Sequence, residues 1–155
     1  MWDMSRLDES PHFASPLPPK DPSRAPRILV AEDDAVVRGL VADGLRDDGY
    51  EIIEDADGGR LLVDIAAIYA VEGKIDPVDL IVSDIRMPVC TGLDIVKGIR
   101  EAHWPIPVIL MTAFADQSVE LMAAQLGAFL LLKPFAMLDL RLKVKELLSS
   151  PIKAG

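Results

Sequence analysis

Residues 28–34 read Ile-Leu-Val-Ala-Glu-Asp-Asp, a run of four apolar residues followed directly by three acids. A short continuous apolar run is typical of a β-strand that is buried on both faces, as strands are in a parallel sheet. Behind the acids, apolar residues between 37 and 45 recur at i, i+3, i+4 and i+8, which predicts an amphipathic helix. The stretch therefore predicts a strand, an acidic loop and a helix in succession.

The same unit recurs along the rest of the chain. Further strands are predicted at 50–53, 78–83, 108–111 and 129–132, and further helices at about 60–71, 92–100 and 119–126. Residues 137–148 fit both strand alternation and a helical face, and we predict a helix because Leu, Lys and Glu favour it. Five β/α repeats predict an α/β fold with a doubly wound, five-stranded parallel sheet and helices on both faces.

Composition divides the chain of 155 residues into three parts. Six of the twelve prolines lie in residues 1–26, which show neither helical nor strand periodicity. We expect residues 1–26 to form a flexible Pro-rich N-terminal arm, 27–149 to form one domain, and 150–155 to form a short C-terminal tail. The alternative for the arm is an extension packed on the domain.

The charge balance and the cysteine content exclude several classes of protein. The formal net charge of -9 argues against nucleic acid as a partner, because phosphate binding needs a concentrated positive surface. A single cysteine, Cys90, excludes an intramolecular disulfide and suits a reducing compartment. The sequence has neither an apolar run long enough for a membrane span nor a secretory signal. We expect a cytoplasmic protein with no membrane association.

Polar residues follow the central strands. The acids Glu32, Asp33 and Asp34 follow the first strand, Asp84 the third, Thr112 the fourth and Lys133 the fifth. Because the carboxyl ends of parallel strands meet at one edge, these side chains should converge there. Clustered acids hold a hard cation such as Mg²⁺, a separate carboxylate can act as nucleophile, and a lysine with a hydroxyl can neutralise phosphoryl oxygens. The pattern indicates phosphoryl transfer to a carboxylate.

Each of these residues also has an ordinary structural interpretation. Asp33 or Asp34 can cap the first helix, and Lys133 can be a solvated charge. The Lys133-Pro134 sequence permits a cis bond that could aim the lysine inward. Because all of the residues occur at successive strand ends in this order, we favour the functional interpretation.

The chain resembles the receiver domain of bacterial two-component response regulators over about residues 27–149. That family has a flavodoxin-like (βα)5 receiver fold. The resemblance is carried by five segments of the sequence: residues 28–34, 80–88, 91–93, 107–113 and 133–135.

The resemblance implies a role for each residue at the strand ends. Asp84 would be the phosphoacceptor, and Thr112 and Lys133 would contact the phosphoryl oxygens. Mg²⁺ would be the cofactor, and its ligands would be Glu32, Asp33, Asp84 and the backbone carbonyl of Arg86. The position that holds a switching Tyr or Phe in many members is Leu130 here, with Phe129 beside it.

The family also implies how such a chain signals. A histidine kinase or a histidine phosphotransfer protein would donate the phosphoryl group. We expect no enzyme acting on a separate substrate, but a receiver that promotes only its own Mg²⁺-dependent phosphorylation and dephosphorylation. From the residues themselves, we expect a downstream protein or a second copy to dock on the face of the fourth helix, fifth strand and fifth helix, because Leu138 and Leu142 lie beside the core stripe of the last helix. We expect a stand-alone receiver, with a receiver excised from a hybrid kinase as the alternative.

Three other functions can be compared with the pattern. A haloacid-dehalogenase-like phosphatase uses similar residues, but its nucleophile follows the first strand and its acid pair comes late. A degenerate receiver would act only as a non-phosphorylated interaction module, and the complete set of candidate residues argues against it. A nucleotide-binding domain needs a glycine-rich turn after the first strand, where this chain has 31–35, Ala-Glu-Asp-Asp-Ala.

Overall fold

The computed structural model describes residues 23–70 and 78–149, in which five strands and five helices alternate. The elements are β1 (Arg27–Ala31), α1 (Ala35–Asp47), β2 (Glu51–Asp55), α2 (Gly58–Ala70), β3 (Leu80–Asp84), α3 (Gly92–Glu101), β4 (Val108–Thr112), α4 (Gln117–Gln125), β5 (Phe129–Leu132) and α5 (Met137–Ser149).

The strands form one parallel sheet in the order β2-β1-β3-β4-β5. The chain order reverses between β1 and β3. In open α/β sheets, ligand sites lie at the carboxyl ends of the strands beside such a reversal. The predicted doubly wound, five-stranded α/β sheet is confirmed.

Two apolar layers pack against the sheet, because successive side chains of a strand point to opposite faces. Leu29 and Ile81 belong to the layer that includes residues of α2, α3 and α4, whereas Ile28 and Leu80 belong to the layer with α1 and α5. Every residue of β3 and β4 is buried. Each fully buried Leu or Ile contributes about 1.5–3 kcal/mol, so these central strands anchor the domain.

The second strand ends later than the sequence predicts. The apolar signal covers 50–53, but β2 is Glu51–Asp55, and of its five residues only Asp55 is buried. The strand lies at the edge of the sheet and pairs only with β1. An edge strand needs few apolar residues, and its final acids resemble a loop in the sequence.

The last element is a helix, as predicted. Leu140 and Val144 are buried, whereas Leu138 and Leu142 are exposed. A strand would place all four leucine and valine side chains on one face, because its side-chain period is two. The two exposed leucines thus lie beside the buried stripe of α5.

The predicted tail, 150–155, and most of the predicted arm lie outside the described residues, as do residues 71–77. The segment that leads into β1 is tied to the domain by Asp79. Its Oδ2 atom accepts a hydrogen bond from the backbone N–H of Arg27 at 2.8 Å and lies 3.3 Å from Nη2 of Arg24. In the described ranges, no helix combines the length and the apolar character that crossing a membrane requires.

Candidate functional site

The pairing register of the strands brings the candidate residues to the edge where the strands end, here called the carboxyl edge. The register of β1 and β3 puts Glu32, the residue after β1, beside Asp84, the last residue of β3. Thr112 ends β4, and Lys133 directly follows the β5 residue that pairs with Thr112. Four residues from distant parts of the sequence therefore meet through backbone pairing alone.

The Lys133 ammonium joins two carboxylates at this edge. Its Nζ atom lies 2.6 Å from Oε2 of Glu32 and 3.1 Å from Oδ2 of Asp84. Glu32 is 1 % exposed, and Asp84 is also buried. Charge-assisted hydrogen bonds of this length are stronger than those between neutral groups. The peptide bond between Lys133 and Pro134 is cis, the isomer that the sequence permits.

The three acids after β1 have different roles in the structure. Asp34 caps α1, because its Oδ1 atom accepts hydrogen bonds from the N–H groups of Val36 and Val37 at 2.9 and 3.2 Å. Asp33 is exposed and lies with Glu32 and Asp84, and their ligand oxygens are all within 4.8 Å of one another. Asp34 is thus the residue that caps α1. Asp33 belongs with Glu32 and Asp84 to the acidic group.

Burial dominates the electrostatics of this group. It raises the pKa of Glu32 to about 7, although the hydrogen bond from Lys133 opposes the shift, and the nearby charge of Asp84 raises the pKa further. For Lys133, burial lowers the pKa, but the hydrogen bonds to Glu32 and Asp84 outweigh burial and leave the pKa raised. The lysine is therefore a fixed positive charge at neutral pH.

The chemistry of the acidic group fits a divalent cation. Three carboxylates with converging oxygens form the hard, oxygen-rich donor set that Mg²⁺ prefers, and Mg²⁺ keeps several of its waters in such sites. The backbone of Arg86 is adjacent, because its N–H donates to Oδ1 of Asp84 at 3.2 Å. The residues present at the carboxyl edge therefore suit the ion.

The Thr112 side chain is engaged by the loop that follows it. Its hydroxyl donates to the carbonyl oxygen of Phe114 at 2.8 Å and accepts from the N–H of Phe114 at 3.2 Å. The threonine is buried at the carboxyl edge, and the partners of its hydroxyl in the described part of the chain are both on Phe114. The sequence predicts Thr112 at this edge and does not predict this pairing.

The start of α3 lies against the strand that carries Asp84. A Cβ atom on Gly92 would lie 2.5 Å from the backbone carbonyl oxygen of Asp84, which no side chain can tolerate. A capping box holds the helix start, since Thr91 accepts from the Asp94 N–H while the Asp94 carboxylate accepts from Thr91. Gly92 is therefore required for the position of α3 beside Asp84.

Two contributors to the edge were missed by sequence reasoning. Arg38 of α1 donates from Nη1 to the backbone carbonyl of Glu32 at 2.8 Å, and Glu32 N–H donates to the carbonyl of Asp55 at 3.0 Å. The Asp55 side chain is 2 % exposed, and its Oδ2 atom is buried without a hydrogen-bond partner in the described ranges. For Asp55 the sequence signal was the acidic end of the weak second strand, and Arg38 has no comparable signal in the sequence.

The sheet order and the convergence of these residues at one edge are the features of a signalling receiver domain. The sequence matches the family of response regulator receiver domains over residues 28–145. The chain belongs to that family and is the receiver domain of a two-component response regulator. The matched residues include all the candidate site residues. The match gives no support to the phosphatase alternative.

Similar curated proteins are transcriptional regulators and a kinase. The transcriptional regulatory protein PdtaR of Mycobacterium tuberculosis is 34% identical over 115 residues, which are 74% of this chain and 52% of PdtaR. A sensor histidine kinase, TmoS of Ectopseudomonas mendocina, is 32% identical over 140 residues, which are 86% of this chain and 13% of TmoS. The chain spans about half the length of the regulators that it matches.

Solved structures show the same fold. The chemotaxis protein CheY4 of Vibrio cholerae is similar with a TM-score of 0.66 and 28% identity, covering 80% of this chain and 99% of CheY4. The receiver domain of the hybrid histidine kinase CckA has a TM-score of 0.60 and 32% identity, covering 79% of this chain and 99% of that domain. Both confirm the CheY-like arrangement of the five β/α units.

Replacing Asp55 with asparagine should stabilise the protein at neutral and higher pH. Burial raises the pKa of Asp55 to about 7, and the neighbouring Asp64 raises it further. Between pH 4 and 7 the unfolded state loses this proton before the folded state does, so stability falls as the pH rises. At pH 8, the free energy of unfolding of Asp55→Asn should exceed that of the wild type by about 1 kcal/mol. One pKa unit corresponds to roughly 1.4 kcal/mol, and water screens part of the repulsion between Asp55 and Asp64.

Urea unfolding at pH 4.5 and pH 8 checks this expectation. The gain should be small at pH 4.5, where the wild-type carboxyl is protonated in the fold. Asp47→Asn, which changes an exposed acid of α1, is the matched control and should show little pH-dependent difference. A gain by Asp55→Asn that is equal at both pH values would contradict the raised pKa.

Proposed function

We propose that the chain is a phosphoacceptor that takes a phosphoryl group from a histidine kinase or a histidine phosphotransfer protein onto Asp84. The observation that carries the proposal is the Lys133 ammonium, which lies within hydrogen-bond distance of both Asp84 and Glu32. A nucleophilic carboxylate beside a fixed positive charge and an acidic cation site has the groups that phosphoryl transfer needs.

The reaction forms one bond and breaks one bond at phosphorus. A carboxylate oxygen of Asp84 attacks, the P–N bond of the donor phosphohistidine breaks, and its electron pair returns to the imidazole. The product is an acyl phosphate on Asp84. Lys133 holds Asp84 in the resting state and then pairs with the phosphoryl oxygens, on which charge accumulates. The Thr112 hydroxyl donates a hydrogen bond to another phosphoryl oxygen.

Mg²⁺ is the cofactor that this site would use. Glu32, Asp33 and Asp84 would hold it through carboxylate oxygens, together with the backbone carbonyl of Arg86. When bound, it would neutralise charge on the phosphoryl group during transfer. The acids then serve to bind the cation, and Lys133 remains the cation that the chain itself supplies.

A protein partner is the proposed output of the domain. Apolar side chains are exposed on three neighbouring elements: Leu121 and Met122 of α4, Phe129 and Leu132 of β5, and Leu138 and Leu142 of α5. The Lys143 ammonium lies 4.1 Å from the centre of the Phe129 ring, which ties α5 to β5. Clustered exposed apolar groups mark interaction surfaces. We infer that this face docks a downstream protein or a second copy.

We also propose that the protein acts in the cytoplasm, because its single cysteine is free and suits a reducing compartment.

Phosphorylation of Asp84 is the first expected result. With Mg²⁺ and acetyl phosphate, the protein should gain one acid-labile phosphoryl group, detected by intact-mass analysis. Asp84→Asn should gain none, and Asp139→Asn, a change of an exposed acid in α5, should behave as the wild type. Equal phosphorylation of wild type and Asp84→Asn would show that the phosphoryl group goes elsewhere.

The phosphorylated form should be long-lived. In this family the residues two positions after the phosphoacceptor and two after the threonine flank the path of the hydrolytic water, and here they are Arg86 and Phe114. Neither side chain can accept a proton from water, and both are exposed. Phe114→Glu or Arg86→Asn should speed hydrolysis by about tenfold, because an acceptor can then orient the water.

Decay of the purified phosphoprotein in Mg²⁺, followed by intact mass, measures this difference. Phe114→Leu and Arg86→Lys keep the chemical character of each side chain and should decay at the wild-type rate. If the wild type decays as fast as the Glu and Asn variants, the explanation by water orientation is wrong.

The docking face is tested by replacing Leu138 and Leu142 with glutamine. Both side chains are exposed, so the free energy of unfolding should change by less than about 0.5 kcal/mol while association weakens. Sedimentation of the phosphorylated protein at several concentrations measures its self-association. Leu140→Gln, which changes a buried leucine of the same helix, should instead cost about 3 kcal/mol or more. A large loss of stability with unchanged association of the double variant would show that the two leucines belong to the core.

A further inference from the structure

Each of the four polar atoms of Glu32 has a hydrogen-bond partner in the described part of the chain. Its carboxylate accepts from the Lys133 ammonium at 2.6 Å and from the N–H of Asp34 at 3.3 Å. Its backbone N–H donates to the carbonyl oxygen of Asp55 at 3.0 Å, and its own carbonyl oxygen accepts from Nη1 of Arg38 at 2.8 Å. The contact with Arg38 is made by a helix side chain that the proposed reaction does not use.

Arg38 connects the acidic loop after β1 to the edge strand β2. It lies in the first turn of α1, and its side chain is 20 % exposed. Besides the hydrogen bond to the Glu32 carbonyl, its Nε atom lies 3.6 Å from Oε1 of Glu54 in β2. A guanidinium presents its donors in one rigid plane, so it can face two acceptors at once in a fixed orientation. Arg38 therefore holds the acidic loop in place against β2.

The carbonyl oxygen that Arg38 contacts belongs to the peptide group between Glu32 and Asp33. A peptide group is planar, so a contact that fixes its carbonyl oxygen fixes the whole plane that joins the two residues. The Asp33 side chain is exposed, so apolar packing does little to orient it. The direction of its carboxylate relative to that of Glu32 therefore depends on this peptide group.

A cation site is sensitive to the relative direction of its ligands. The ligand oxygens of Glu32, Asp33 and Asp84 all lie within 4.8 Å of one another. Mg²⁺ demands near-ideal octahedral geometry, with metal–oxygen distances of about 2.0–2.1 Å. Groups that orient the ligands without touching the metal commonly change its affinity by about 10–100-fold. A rotation of the peptide group between Glu32 and Asp33 should therefore weaken binding of the ion.

The positive charge of Arg38 opposes this effect only weakly. A cationic side chain near the site repels Mg²⁺, but this one belongs to a surface group in which two positive and two negative charges balance: Arg38, Arg46, Glu54 and Asp43. Salt and water also screen charges at the surface. Removing Arg38 should thus lower the affinity for Mg²⁺ through lost orientation more than it raises the affinity through lost repulsion.

We propose that Arg38 is a positioning residue of the cation site, and that it holds the peptide group between Glu32 and Asp33 so that both carboxylates face one ion. The inference rests on the proposed function, because Mg²⁺ is the cofactor proposed there. In that reaction Lys133 turns from Asp84 to the phosphoryl oxygens, whereas Arg38 contacts a backbone carbonyl that takes no part in the transfer. Arg38 therefore supports the site both before and after the transfer.

The test measures Mg²⁺ binding to the full, unphosphorylated chain, with no transfer reaction. The ¹⁵N-labelled protein is titrated with MgCl2 at constant ionic strength, and the amide resonances of Glu32, Asp33 and Asp84 give the dissociation constant. Arg38→Met removes the donors but keeps an unbranched stem that favours a helix. Its dissociation constant for Mg²⁺ should rise about tenfold.

Arg46→Met is the matched control. Arg46 lies on the same helix and also pairs with Glu54, but its ion-pair partners in the described part of the chain are the carboxylates of Glu54 and Asp43. The dissociation constant of this variant should stay within about twofold of the wild-type value, because an exposed ion pair contributes little. Arg38→Lys keeps a donor for the Glu32 carbonyl and should bind Mg²⁺ more tightly than Arg38→Met does.

The outcomes separate this inference from the proposed function. If the wild type binds Mg²⁺ and Arg38→Met binds it equally well or more tightly, the role of Arg38 is overturned alone. An equal loss in Arg46→Met, or an Arg38→Lys variant as weak as Arg38→Met, overturns it too. A wild type whose resonances at the carboxyl edge do not respond to Mg²⁺ overturns the proposed cofactor and this inference with it.

Discussion

The ion pairs of Lys133 with Glu32 and Asp84 are the interaction on which the carboxyl edge depends. Removing a carboxylate from water costs several kcal/mol unless an opposite charge is close, and here one ammonium serves two carboxylates. Its position follows from the strand register, because Lys133 is the first residue beyond β5. The sheet therefore has to pair in this register for the acids to be buried at all.

The fold could be predicted where residues are buried on both faces. β1, β3 and β4 appear in the sequence as short apolar runs, and their burial in a parallel sheet explains why. The edge strand β2 has a weak apolar signal, and its end at Asp55 could not be found by periodicity. The helical nature of α5 was decided by residue propensity, because Leu138 and Leu142 mimic a strand pattern although they are exposed.

The convergence of the site could be predicted from strand ends, but the hydrogen bonds within it could not. Sequence placed Glu32, Asp84 and Lys133 at one edge because parallel strands all end there. It could not decide which acid caps α1, since Asp33 and Asp34 have the same chemistry and differ only in backbone position. The pairing of the Thr112 hydroxyl with the next loop depends on local backbone geometry that spacing does not encode.

The helices that begin at the carboxyl edge affect its electrostatic potential. A helix start carries a partial positive charge from its free N–H groups and commonly attracts anions. Here acids of the chain already occupy those positions: Asp34 at α1, Asp94 in the first turn of α3, and Asp116 at α4. The helix dipoles at these three starts are thus neutralised internally. An anion therefore gains little from these helix starts, and Lys133 is a positive charge that the chain places at the carboxyl edge by side-chain contacts.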